Sequence, residues 1–187
     1  MEKRLETPIT LKAKKNKLII ESLIKKKKNN MEIDVLIEIP RGSRNKYELD
    51  EKTGRLRLDR VLRSSVGYPA DYGLMPDTKS SDGDPLDVMV VARFPLLPGS
   101  LLKARPVALF KMIDKGEEDE KVIAVPVDDF YYDSWKELED IPMPLRQEIE
   151  QFFVTYKVLE NKLVESKGWG TRQEAEDIIK KAEANNK

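Results

Sequence analysis

The run Asp82-Gly83-Asp84-Pro85-Leu86-Asp87 sets three carboxylates within six residues, and no other segment constrains the chain as strongly. Like charges at that density repel one another unless cations sit between them. Gly83 lets the backbone turn tightly and Pro85 stiffens the turn. The apolar run Val88-Met89-Val90-Val91 then reads as a buried strand that anchors it. Oxygen donors with no His or Cys beside them suit a hard ion, Mg²⁺ or Mn²⁺, rather than zinc. The run therefore points to metal-assisted chemistry on an anionic substrate. A purely structural acidic turn at the head of a strand stays open as a second reading. An EF-hand loop fits poorly, because Asp87 stands at the sixth position where glycine is required and no paired helices flank the run.

Composition narrows the chemistry. The 187 residues include neither Cys nor His. Disulfides, thiol catalysis, Ser-His-Asp triads and His-ligated metals are thereby excluded, and proton transfer falls to Asp, Glu, Lys, Tyr or water. The lack of Cys also suits a reducing compartment. The formal net charge is zero, yet residues 1–30 hold ten Lys/Arg against three Glu, while the remainder holds 24 basic and 31 acidic residues. An acidic body argues against a nucleic-acid-binding core. The arm's longest apolar stretch, Leu18-Ile19-Ile20, is too short for a membrane span or signal peptide, and the arm lacks the Arg- and Ser-rich make-up of a transit peptide. It reads as a basic N-terminal extension over 1–30 with one short amphipathic helix through Leu18–Ile24. Residues 31–187 read as a single catalytic domain, and the protein as cytoplasmic.

Short β-patterned runs fill the first two-thirds of the body. Ile33, Val35, Ile37 and Ile39 alternate with Glu32, Asp34, Leu36 and Glu38, which puts Glu38 on the polar side of a half-buried strand. Tyr47–Asp50, Thr53-Gly54 and Leu56–Leu58 read as a hairpin, with further strands over Val88–Arg93, Leu101–Phe110 and Val122–Val127. Tyr68–Gly73 reads as a turn carrying two phenols. The last third is helical: Leu145, Ile149, Phe152, Phe153 and Tyr156 recur at helical steps, Gly168-Trp169-Gly170 breaks the pattern, and Thr171 with Glu174 forms a capping box. The expected fold is α+β, mainly β: a small closed OB-like β-barrel with two C-terminal helices packed beside it.

Taken singly, the other polar groups have ordinary explanations. Lys46 and Glu48 read as a surface pair, Tyr156 as core, and the segment Asp114–Lys121 as a solvated loop. Jointly and in order they resemble the soluble family I inorganic pyrophosphatases. The resemblance runs from about Glu38 to Trp169, roughly 70% of the chain. It includes Glu38-Ile39-Pro40, Lys46–Asp50, Asp59-Arg60, Tyr68-Pro69, Asp71-Tyr72-Gly73 and Asp82–Asp87. It continues through Pro98-Gly99-Ser100, Lys111–Asp114, Phe152–Lys157 and Gly168-Trp169.

The resemblance implies hydrolysis of pyrophosphate, bound as its magnesium complex, with several Mg²⁺ per site and Mn²⁺ as a possible substitute. It implies that Asp82, Asp87 and Asp119 hold the tightest ion, and that Asp114 and Glu38 hold ions arriving with the substrate. Asp84 matches the residue beside the attacking water, a candidate base. Lys46, Arg60, Tyr72, Lys121, Tyr156 and Lys157 match phosphate-holding groups, with Glu48 and Tyr68 in support. It also implies a homo-oligomer, commonly a hexamer, and neither a nucleic-acid nor a membrane partner. One position departs from the pattern: Lys115 stands where the family has Glu directly after Asp114. Two other classes remain open, an oligonucleotide-binding barrel and a structural acidic β-protein.

Overall fold

The alternation along Ile33–Ile39 needs a sheet to bury its apolar side, and a closed ring of strands supplies it. The computed structural model describes residues 31–50, 52–81 and 83–186. The arm through residue 30 lies outside the described residues, as does the helix expected at Leu18–Ile24, and so does Asp82. The strands are β1 (Ile33–Ile39), β2 (Asn45–Asp50), β3 (Arg55–Val61), β4 (Asp71–Met75), β5 (Leu86–Val90), β6 (Leu101–Asp114), β7 (Glu117–Glu118), β8 (Lys121–Pro126) and β9 (Val164–Gly170). Two α-helices follow the barrel strands, α1 (Met143–Thr155) and α2 (Arg172–Asn185).

Pairing runs β1-β4-β5-β8-β6, and β6 pairs back to β1, so the ring closes on five strands. Within it β5 and β8 run parallel, while the other neighbours are antiparallel. This is a mainly β fold of OB-like order. Closure removes free edges from the five ring strands. Ile39, Met89, Phe110, Ile123 and Val125 are buried together in one apolar cluster, and Ile37 and Val88 are buried as well. The hairpin β2–β3 stands apart as a separate two-stranded sheet, inserted between ring strands β1 and β4.

Two segments depart from the sequence expectation. Asp71-Tyr72-Gly73 is the start of strand β4, not part of a turn, and all five residues of that strand are buried. Neighbours on both sides override the weak strand propensity of Asp and Gly there. Gly168-Trp169-Gly170 likewise ends a strand, β9, which pairs with the distal half of β6 across an irregularity at Lys111/Met112. Gly168 supplies the positive φ (82°) of that irregularity.

Helix α1 turns Ile149, Phe152 and Phe153 onto the barrel. Phe153 stacks on Phe110 of β6 with centroids 5.3 Å apart, and Trp169 of β9 lies at 5.3 Å from the same ring. The helix ends at Thr155, so Tyr156 caps it and Lys157 follows it. Both halves of the Thr171/Glu174 capping box are present at the start of α2.

Gly73 is a close-approach position. A Cβ there would lie 2.0 Å from the Leu36 carbonyl oxygen on β1. Gly73→Ala should therefore force β1 and β4 apart and destabilise the chain by about 3 kcal/mol or more. Thermal unfolding of the variant measures this, and an unchanged melting temperature would contradict the tight β1–β4 contact.

Candidate active site

Asp87 lies on β5, and Lys121 opens the parallel neighbour β8, so their side chains meet at one end of the barrel. Two residues before Lys121 stands Asp119, brought back by the short β6–β7 reversal at Lys115-Gly116. The Lys121 ammonium is ion-paired with both Asp87 and Asp119 and is only 3% exposed. Burial alone would favour its neutral amine, but the two carboxylates outweigh burial and raise its pKa above the ordinary lysine range. Burial pushes the Asp119 carboxyl upward, with Lys121 partly offsetting it.

A second pair adjoins the first. Lys157 donates to Asp114 Oδ2 at 2.6 Å, and its ammonium lies 5.0 Å from the Tyr156 ring centroid. Burial lowers the Lys157 pKa, although Asp114 opposes the change. The other Asp114 oxygen, Oδ1, is buried and accepts no hydrogen bond.

Glu38 departs from its sequence reading. It is buried, because the β2–β3 hairpin folds over the outer side of β1 and converts that polar position into an interior one. Its Oε1 accepts a hydrogen bond from the Leu49 amide of the hairpin at 2.7 Å. Burial pushes its pKa up to about 7; the Leu49 bond opposes this, and the charge of nearby Asp87 adds to it.

The hairpin brings cations. Lys46 pairs with Glu48 on the same strand and stands 3.7 Å from Asp59 of β3. Arg60 pairs with Asp59 and, at 3.2 Å, with Glu160. Beneath them, Tyr68 and Tyr72 are buried with centroids 5.3 Å apart. Tyr156 is buried as well and joins Tyr68 through Phe152, at 5.0 Å and 4.7 Å. Burial followed by the charge of Asp87 raises the pKa of both Tyr68 and Tyr72, and burial raises that of Tyr156, so all three phenols stay protonated donors.

The structure thus gathers Glu38, Asp87, Asp114, Asp119, Lys121, Lys157 and the three tyrosines around one end of the barrel, with Lys46, Glu48 and Arg60 on the hairpin. Asp84 lies in the turn before β5 with an exposed side chain, and its carbonyl accepts from the Ser80 amide at 2.8 Å. Among the described residues no three carboxylates are arranged around a single ion position, and Lys121 pairs with both Asp87 and Asp119. The donor set nevertheless fits a hard cation. It is all oxygen, Asp114 Oδ1 is buried without a partner, and Asp87 and Asp119 already share one positive charge. Glu160 has no sequence signal for its place beside Arg60. It lies 100 residues from Arg60, and nothing local marks its pairing.

Comparison with known proteins accords with this geometry. Residues 35–187 match the family model described as inorganic pyrophosphatase. The chain is 50% identical over 153 residues to the inorganic pyrophosphatase of Leifsonia xyli, covering 81% of this chain and 94% of that one. It is 51% identical over 152 residues to the Haloferax volcanii inorganic pyrophosphatase, with coverage of 81% and 86%. The crystal structure of inorganic pyrophosphatase from Thermus thermophilus superposes with a TM-score of 0.81 at 42% identity, covering 83% of this chain and 91% of that one. The chain belongs to the inorganic pyrophosphatase family. It is a hydrolase, an inorganic diphosphatase. Among the described residues no helix is long and apolar enough to cross a membrane.

The Glu38 shift has a pH consequence. Its folded pKa of about 7 lies above the ordinary 4.5, so between those values the folded chain holds a proton that the unfolded chain has lost. The stability this gives is full below pH 4.5 and disappears as pH rises through about 7. In chelator, Glu38→Gln should remove that loss, which amounts to at most about 3 kcal/mol at about 1.4 kcal/mol per pH unit. Denaturant melts of both proteins from pH 5 to 8 measure it, and parallel profiles would contradict the assignment.

Proposed function

We propose that the chain hydrolyses inorganic pyrophosphate, bound as its magnesium complex, to two orthophosphates, with several Mg²⁺ per site and Mn²⁺ as a possible substitute. The observation that carries this reading is the buried Lys121 held between Asp87 and Asp119, with Asp114 and Glu38 close by. Carboxylates accumulated around so few cations call for further positive charge.

In this reading Asp82, Asp87 and Asp119 hold the tightest ion, and Asp114 and Glu38 hold ions that enter with the substrate. Such ions, when bound, would offset the charge of pyrophosphate and make water a better nucleophile at neutral pH. Asp84 accepts the proton of the attacking water, a role open to a carboxylate in a chain without His. Lys46, Arg60, Lys121 and Lys157 bind phosphoryl oxygens as cations, and Tyr72 and Tyr156 donate to them as neutral phenols. These donors stabilise negative charge on the departing phosphate, so the displacement proceeds in line without a covalent intermediate. Glu48 orients Lys46, and Tyr68 supports Tyr72 from below.

Residues 31–187 act as one catalytic domain, with the basic 1–30 segment an extension of it, and the absence of Cys suits a cytoplasmic setting. The protein works as a homo-oligomer, a hexamer by family resemblance. Phe94, Leu97, Phe130 and Tyr131 are exposed apolar side chains of a kind that association covers. Sedimentation should give a mass several times that of one chain, and a monomer at micromolar concentration would refute association.

The experiment that separates base from ligand compares Asp84→Asn with Asp87→Asn. Turnover of the first at saturating Mg²⁺ should fall by about 10²–10⁴-fold, with Mg²⁺ or Mn²⁺ binding retained in calorimetry. The second should lose metal affinity itself. Near-normal turnover of Asp84→Asn rules out this base, and full wild-type activity in excess chelator rules out the metal reading.

A further inference from the structure

The pyrophosphatase reading leaves unused one fully buried carboxylate, Asp71, which opens β4 next to Tyr72. Its Oδ1 accepts two backbone hydrogen bonds from separate loops, the Arg41 amide at 3.0 Å and the Leu96 amide at 2.9 Å. Its Oδ2 is buried without a partner. Burial raises its pKa against the pull of those two amides. Burying a carboxylate is costly, and an apolar side chain would fill a core position of β4 without that cost. The group therefore has to be explained by what its hydrogen bonds hold.

They hold the root of the β2–β3 hairpin. The chain enters that hairpin through residues 40–44, and Arg41 lies at the start of this limb. Gly42 donates to the Tyr68 carbonyl at 2.8 Å, and Tyr68 donates to the Ser43 carbonyl at 3.0 Å. Leu62 donates to the Arg44 carbonyl at 2.7 Å, which clamps the two limbs together. A Cβ on Gly67 would lie 2.5 Å from the Gly42 carbonyl oxygen, so the two backbones are in near contact. The Arg41 side chain reaches the Ala92 and Arg93 carbonyls at 3.4 and 3.3 Å. Among the described residues, Asp71 is the side chain that ties this limb and the 92–96 loop to one ring strand. That strand also carries Tyr72 toward the site.

We propose that Asp71 is a positioning residue, which sets the hairpin bearing Lys46 and Arg60 at the height above the barrel where these cations meet the substrate. The inference rests on the pyrophosphate-binding reading of Lys46 and Arg60. It adds that their placement, at the first pairs of the hairpin above its root, is governed from that root by a carboxylate that touches neither substrate nor metal. Losing it should weaken substrate binding more than the chemical step.

The test compares wild type, Asp71→Asn, Arg41→Ala and Ile149→Val, the last a core change on α1, an element outside the hairpin and its root, that costs about 1 kcal/mol of stability. Steady-state kinetics with Mg²⁺ and pyrophosphate are read beside calorimetric binding of methylenebisphosphonate, a non-hydrolysable probe, in Mg²⁺. For Asp71→Asn, KM and the probe's Kd should both rise by about tenfold while kcat stays within about threefold. Arg41→Ala, which loosens the same limb without altering the buried position, should move both constants in the same direction by a smaller factor. Ile149→Val should leave both unchanged. Unchanged KM and Kd in folded Asp71→Asn overturn the proposal, and so does a fall in kcat alone. If Asp71→Asn does not fold, unchanged constants in Arg41→Ala overturn it equally. Failure of the wild type to bind the probe or turn over pyrophosphate would instead refute the underlying functional reading.

Discussion

Carboxylates held close together in a poorly solvated place repel one another and lose hydration at the same time, and much of this structure answers that problem. Glu38, Asp87, Asp114 and Asp119 come from four different segments, yet they converge on one end of the barrel. Two lysines supply the internal counter-charge: Lys121 bridges Asp87 and Asp119, and Lys157 meets Asp114. Raised pKa values at Glu38 and Asp119 and a partnerless Asp114 oxygen show that the compensation is incomplete. A rigid ring is required to keep such groups from moving apart, and five strands with no open edge between them provide it.

The hairpin answers a different need. Its cations are more solvated than Lys121, and each has a carboxylate of its own, Glu48 for Lys46 and both Asp59 and Glu160 for Arg60. Pairing of this kind at a rim contributes little stability. Its value lies in keeping long side chains in place without drawing them into the carboxylate cluster. The hairpin also covers β1, and this cover is what turns Glu38 from a surface residue into a buried one. One insertion thus sets the position of two cations and the protonation of a carboxylate on the neighbouring strand.

Lys115, the departure from the family pattern, occupies an exposed turn in the left-handed region with φ of 54°, followed by Gly116 at 89°. The turn is made by backbone geometry, and it returns the chain so that Asp119 donates its amide to the Met112 carbonyl at 3.0 Å. The spacing from Asp114 to Asp119 is set by that reversal, whichever side chain stands at 115.

Much of this was legible in the sequence because it depends on local pattern. Period-two alternation marked β1, helical spacing marked α1, and Thr171 with Glu174 marked the start of α2. The oxygen-only donor set followed from a chain without His or Cys. Local pattern failed where neighbours decide the outcome. Asp71-Tyr72-Gly73 carries turn-like residues, yet it forms a buried strand because β1 and β5 enclose it and only glycine admits the Leu36 carbonyl. Glu38 alternates as a solvent-facing residue and is buried by a hairpin that begins seven residues later. Arg60 meets Glu160 across 100 residues, and Asp71 meets amides 30 and 25 residues away. Residue identity along the chain determined which donors and charges this protein has. Only ring closure and the seating of the hairpin decided which of them face each other, because electrostatic energy depends on distance and burial, and neither is a property of sequence order.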